Sequence, residues 1–183
     1  MSELAPRIWV GSLADYNNGR LHGEWLEAAR GAPEIEADIS AMLERSVIPG
    51  AEEFAIFDYE NFGPLRLDEY ESIETVTTIA QGIAEHGEPF AAWVHVIGQR
   101  DQATLGKFED CYRGEWSSLT AYADELLDEL GATQILEEIP NWLQPYMTIN
   151  SEAFARDLHY SGDLLTAGSS SGGVYIFEVP SGA

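Results

Sequence analysis

Lysine is nearly missing from this chain of 183 residues: of nine basic residues only Lys107 is one, and the rest are arginines. Against them stand 32 Asp and Glu, which leaves a formal net charge of −23. Such a charge makes nucleic acid, anionic membranes and acidic substrates poor direct partners, and a basic protein surface a good one. Cysteine occurs once, at Cys111, so no internal disulfide forms, and the chain suits a reducing cytoplasm. Residues 1–10 show no basic segment followed by an apolar stretch, so no signal peptide is expected. The longest apolar run, 90–97, is interrupted by His95. It is far short of the roughly 20 residues a membrane helix needs, so no membrane contact is expected.

Catalytic signatures are scarce as well. The sequence has no G-x-x-x-x-G-K-[ST] loop, no G-x-G-x-x-G, no H-E-x-x-H and no C-x-x-C. His22, His86, His95 and His159 lie far apart and read as ordinary surface or core histidines. Residues 15–19, Asp-Tyr-Asn-Asn-Gly, fail as a calcium loop: glycine stands fifth instead of sixth, and the twelfth position is Leu26. Adjacent acids such as Glu52/Glu53, Asp124/Glu125 and Glu137/Glu138 are too common for any pair to stand out as an acid/base couple. The expectation is a binding protein, with no catalytic residue, cofactor or metal site.

What is present is a core. Hydrophobic residues make up 45% and aromatics 11%, unlike a disordered acidic tail. The charge is −4 over 1–50, −8 over 51–100, −8 over 101–150 and −3 over 151–183, so the imbalance runs through folded sequence.

Periodicity outlines the elements. Residues 7–13 read as a strand, 15–19 as a turn, and 21–26 as a second strand. Pro33 opens a helix whose apolar face carries Ile35, Ile39, Met42 and Leu43. Residues 53–59 alternate as a strand, completing a small α+β unit. Asp68 is the expected N-cap of a helix to about Glu85, with Ile73, Val76, Ile79, Ala80 and Ile83 inward and Gly87 as its stop. Residues 90–97 fit either a strand or a buried helix. Ser117 or Ser118 begins the clearest helix, with Leu119, Tyr122, Ala123, Leu126, Leu127 and Leu130 on one stripe and Gly131 after it. A short helix over 134–139 ends at Pro140, and Asn150 or Ser151 caps another over 152–159. Residues 168–173 read as a flexible Gly/Ser linker, and 174–179 as a final strand or ordered tail. The expected domains are an N-terminal α+β domain (1–62), a mostly helical central domain (63–104) and a C-terminal α+β domain (105–183).

On the 118–131 helix, Asp124, Glu125, Asp128 and Glu129 oppose the leucines with no basic residue at i+4. Asp68, Glu69, Glu71 and Glu74 crowd the expected start of the earlier helix, where the dipole welcomes anions. Duplex DNA carries one charge per roughly 1.7 Å, so this net charge matches about 40 Å of duplex. A compact chain of this length has a diameter on the order of 40 Å, a comparable charge per length. Salt adaptation is the other reading of such a composition.

Several segments in order resemble the ArdA antirestriction family. They are RIWVGSLADYNNGR (7–20) with GEW (23–25), FDYENFG (57–63), FEDCYRGEW (108–116), LEEIP (136–140) and EAFARDL (152–158). MTINS (147–151) departs from a more aromatic pattern, and the tail after Asp163 is longer. The resemblance implies an α+β fold drawn out as an elongated, curved chain of small α/β and α domains. It implies a homodimer whose acidic surface mimics bent duplex DNA and blocks the DNA-binding groove of a type I restriction–modification enzyme, at its methyltransferase core, without cofactor or catalysis. The carboxylates expected to imitate phosphates are Glu69, Glu71, Glu74, Glu109, Asp110, Glu115, Asp124, Glu125, Asp128 and Glu129. The segment that the resemblance ties to dimerisation and antirestriction includes Leu136, Glu137, Glu138, Ile139, Pro140, Phe154, Arg156 and Asp157. Two other readings stand beside this one: a general acidic inhibitor of some other basic DNA-binding protein, and a carboxylate-based hydrolase or metal enzyme.

Overall fold

The computed structural model describes residues 5–180, and the chain forms two compact units, Met1–Phe108 and Glu109–Ala183. The class is α+β: two small antiparallel sheets, each accompanied by helices.

In the first unit, β1 (Arg7–Ser12) is central, between β2 (Gly23–Glu27) and β3 (Phe54–Glu60), both antiparallel to it. Ile8 faces Leu26 and Tyr59 across the two ladders. The β3 register shifts between Trp9 and Val10, a bulge that leaves Phe57 as the extra residue. Gly23 is there because a Cβ would strike the Val10 carbonyl across the ladder. Between β1 and β2 lies α1 (Leu13–Asn17), capped by the Ser12 side chain. Residues 15–17 are thus a helical turn rather than a free one, because Ser12 satisfies the first amide and Asn18 and Gly19 close the turn. The second strand starts at Gly23, later than expected, and Leu21 stands exposed before it.

Helix α2 (Ala32–Glu44) buries Ile35, Ile39 and Met42, the face its spacing requires. Helix α3 (Ile73–His86) buries Ile73, Val76, Ile79 and Ala80. Its N-cap is Ser72, which accepts from the Thr75 amide. Asp68 instead closes a turn, accepting from the Tyr70 amide through its side chain and from Glu71 through its backbone. The start expected at Asp68 is therefore four residues early, and Glu69 and Glu71 precede the helix. Gly87 ends α3 with φ +71°, and α4 (Glu88–Ile97) follows, so residues 90–97 are helical. Phe90–Val94 are all buried there, which explains the lack of amphipathic spacing. A Cβ on Gly82 would clash with the Phe90 ring, so glycine sets the approach of α4 to α3. Two short turns, α5 (Gln102–Leu105) and α6 (Phe108–Cys111), lead out of this unit.

The second unit has a sheet of β4 (Tyr112–Trp116), β6 (Val174–Glu178) and β5 (Leu164–Gly168), with β6 central. Helices α7 (Leu119–Glu129) and α9 (Ser151–Ser161) pack on each other, and α8 (Ala132–Glu137) lies between them in sequence. Tyr122, Leu164 and Ile176 form the core, flanked by Trp116, Leu119, Leu126, Leu158 and Val174. Residues 168–173 are no linker. They turn β5 into β6, with the Ser169 amide on the Gly173 carbonyl and the Gly172 amide on Ser169. Leu130, placed on the buried stripe by spacing, is 66% exposed because it lies past the packed part of α7.

The core assignment predicts unequal responses to truncation. Ile176→Ala empties a fully buried site and costs about 2–5 kcal/mol in urea unfolding. Leu130→Ala costs less than about 0.5 kcal/mol. Equal losses would contradict the packing described for α7.

Candidate partner-binding surface

Most of the ten carboxylates expected to imitate phosphates are set by local structure to face solvent. Asp124, Glu125, Asp128 and Glu129 lie exposed on α7; Asp124 and Asp128 point away from its buried Tyr122 and Ala123, while Glu129, seven residues after Tyr122, lies on the same side as Tyr122 near the helix end. At a rise of about 1.5 Å per residue, Asp124 and Asp128 stand about 6 Å apart along the helix axis. The hydroxyl of Thr133 donates to Asp128 at 2.6 Å, which fixes one of the four in place. Glu69 is exposed ahead of α3, Glu74 in its first turn, and Glu109 and Asp110 in α6.

Two of the ten have particular surroundings. Glu115, exposed on β4, accepts from the hydroxyls of Ser169 and Ser171, which reach back from the β5–β6 turn. The Ser169 bond and then the Ser171 bond hold its carboxyl below the usual range, so it stays charged. Glu71 is half-buried and paired with Arg100, 29 residues away, which also donates to the Arg66 carbonyl. Its charge is compensated, unlike the uncompensated row on α7.

Arginines elsewhere act as fasteners. Arg30 pairs with Asp38 at 2.6 Å, Arg45 with Glu24 at 2.8 Å, and Arg113 with Glu178 at 2.6 Å. The Arg113 pair is bidentate and ties β4 to β6; its bonds from Arg113 hold the Glu178 carboxyl low.

The segment containing Leu136, Glu137, Glu138, Ile139 and Pro140 spans the end of α8 and the loop beyond it. Leu136 and Ile139 are half-buried, and the other three are exposed. Gln144 donates to the Ile139 carbonyl at 2.9 Å and so fixes the loop. On α9, Phe154 is half-buried while Arg156 and Asp157 are exposed. Close by in sequence, Leu130, Ile135, Trp142, Tyr146, Met147 and Ile149 are exposed apolar side chains. Sequence spacing did not single out Trp142; its place after Pro140-Asn141, outside any periodic stripe, was the available signal.

Asp15 was also missed. It is fully buried, and the Ser46 hydroxyl donates to it at 2.5 Å. That bond first, then Ser12, His22 and Arg20, hold its carboxyl below the usual range against the opposing effect of burial. Asp15 thereby ties α1 to the chain just after α2. Among the described residues no group of three or more His, Cys, Asp or Glu is arranged to hold a metal ion. No described helix is long and apolar enough to cross a membrane.

A mixed α/β protein with exposed, locally fixed carboxylates is the class these observations define. The family model for the antirestriction protein ArdA matches residues 8–171, and the chain belongs to that family. No curated protein matches the chain.

The depressed carboxyl of Asp15 carries a pH prediction. A lowered folded pKa contributes stability above the unfolded value, and that contribution is lost as pH falls through the folded value. Ser46→Ala is therefore less stable than the parent at neutral pH, and the gap narrows on acidification once Asp15 is protonated. Urea midpoints across pH measure it; a gap independent of pH would refute the role given to this bond.

Proposed function

We propose that this ArdA-family antirestriction protein acts by mimicking duplex DNA, its carboxylates standing in for phosphates in the DNA-binding groove of a type I restriction–modification enzyme. The observation that carries this reading is the row Asp124, Glu125, Asp128 and Glu129. All four are exposed on one helix, and no ion pair reaches them among the described residues. A basic cleft that tracks phosphates is steered by such a field irrespective of its chemical origin. Glu69, Glu74, Glu109, Asp110 and Glu115 extend the set, while Glu71, compensated by Arg100, contributes less. No catalytic step is required, because occupying the groove is sufficient to inhibit.

The exposed apolar run from Leu130 to Ile149, with Leu136, Ile139 and Phe154 beside it in sequence, supports a homodimer through this part of the second unit. Large apolar side chains left exposed in one stretch of sequence favour association over solvent contact.

A distributed field degrades gradually. Neutralising one α7 acid, for example Asp128→Asn, weakens inhibition of a type I enzyme by less than about fivefold. Replacing all four by Asn and Gln weakens it by more than about tenfold. An abrupt loss from one substitution would point to a local site and refute the distributed field. Separately, Trp142→Glu shifts the sedimentation of the full chain from dimer toward monomer; an unchanged sedimentation coefficient would remove this segment from the interface.

A further inference from the structure

The first unit contains a groove of about 430 Å³ that differs from the open acidic rows. One wall is the α2 face carrying Glu36, Ile39, Ser40 and Leu43, at i, i+3, i+4 and i+7. The other comes from Glu52 and Phe54 at the start of β3 and from residues 69–73 ahead of and within α3. The Ile56 amide donates to the Glu69 carbonyl at 2.9 Å, which seats this last segment beside the strand.

Its base has an apolar strip. Leu43 and Phe54 are half-buried and reach the groove, and Ile39 and Ile73 support them from beneath, nearly fully buried. Its rim is anionic. Glu36, Glu52 and Glu69 are exposed and enter no ion pair among the described residues, while the fourth rim acid, Glu71, is compensated by Arg100. Tyr70 stands at the edge, 69% exposed, with its ring available to a cation. The volume lies within the roughly 300–1,000 Å³ typical of ligand sites, enough for a few side chains.

We infer that this groove docks a short basic segment of the inhibited protein, in which one aliphatic side chain lies on Leu43 and Phe54 and flanking arginines meet Glu36, Glu52 and Glu69. The inference rests on the reading that the partner is a basic protein. Charge complementarity selects this occupant. An apolar floor alone would take any hydrophobic side chain, and an acidic rim alone any cation; together they fit the alternation of the two. An acidic or nucleic-acid ligand is repelled by the same rim. The chain's own Arg7, Arg20, Arg30, Arg45, Arg100 and Arg113 are already paired with acids. The groove thus adds a point of short-range specificity that a diffuse phosphate-like field does not supply.

The test uses the full chain and two capped peptides, Gly-Arg-Leu-Arg-Gly and Gly-Arg-Ser-Arg-Gly, titrated at low salt and followed by amide chemical shifts. The leucine peptide shifts residues on α2 and around 69–73, and binds about tenfold or more tightly than the serine peptide. Ser40→Trp fills the groove and leaves the net charge unchanged, and lowers leucine-peptide affinity by about tenfold or more. Tyr70→Ser, a change at an exposed edge that does not disturb folding, lowers it in smaller measure. Equal binding of the two peptides, no binding to the parent chain, or indifference to both substitutions would overturn the inference. Inhibition of a type I enzyme is then compared for the parent and Ser40→Trp. A drop with the charge unchanged supports docking in the groove. Undiminished inhibition shows that the partner does not use it, and leaves the charge-field reading standing. Failure of the parent chain to inhibit would count against that broader reading, while the peptides still decide whether the groove takes a basic segment.

Discussion

A net charge of −23 repels itself, and two small antiparallel sheets with their helices hold the chain folded against that repulsion. Like charges one helical turn apart cost a few tenths of a kcal/mol per pair. Burial of residues such as Ile8, Val76, Trp93 and Ile176 supplies the opposing term, at roughly 25 cal/mol per Å² of apolar surface. The few arginines are placed where they join elements. Arg113 ties β4 to β6, Arg45 ties the end of α2 to β2, and Arg100 fixes the segment ahead of α3. Used as fasteners, they leave the acids of α7 without a counter-charge.

Fixing a carboxylate also takes polar partners. Ser169 and Ser171 grip Glu115, Thr133 holds Asp128, and Ser46 holds the buried Asp15. A hydroxyl orients the acid without cancelling its charge, which an arginine would do. In the reading proposed, that is the useful property: a groove that expects phosphates at defined positions is deceived by anions that are both charged and placed.

The parts legible in the sequence were those governed by local pattern. The stripes of α2 and α3 and the exposure of the α7 acids follow from 3.6-residue spacing. The rest depended on neighbours distant in sequence or on signals that sequence duplicates. Asp68 and Ser72 are both competent N-caps four residues apart; the side chain of Asp68 closes a turn of its own, so Ser72 starts the helix. A Gly/Ser run serves equally as a linker or a tight turn, and only the pairing of β5 with β6 decides. Leu130 continues a perfect stripe beyond the point where α7 has anything to pack on. The compensation of Glu71 and the groove between α2 and residues 69–73 both arise from contacts that no periodicity encodes.

In the reading proposed, inhibition is electrostatic and exclusive with DNA. The most direct test is the affinity of this chain for a type I methyltransferase core, measured in rising salt and with duplex DNA as competitor. The account predicts a steep linear fall of log affinity with log salt, and full displacement by duplex. Binding indifferent to salt, or a ternary complex in which enzyme, duplex and this chain are held together, would contradict it.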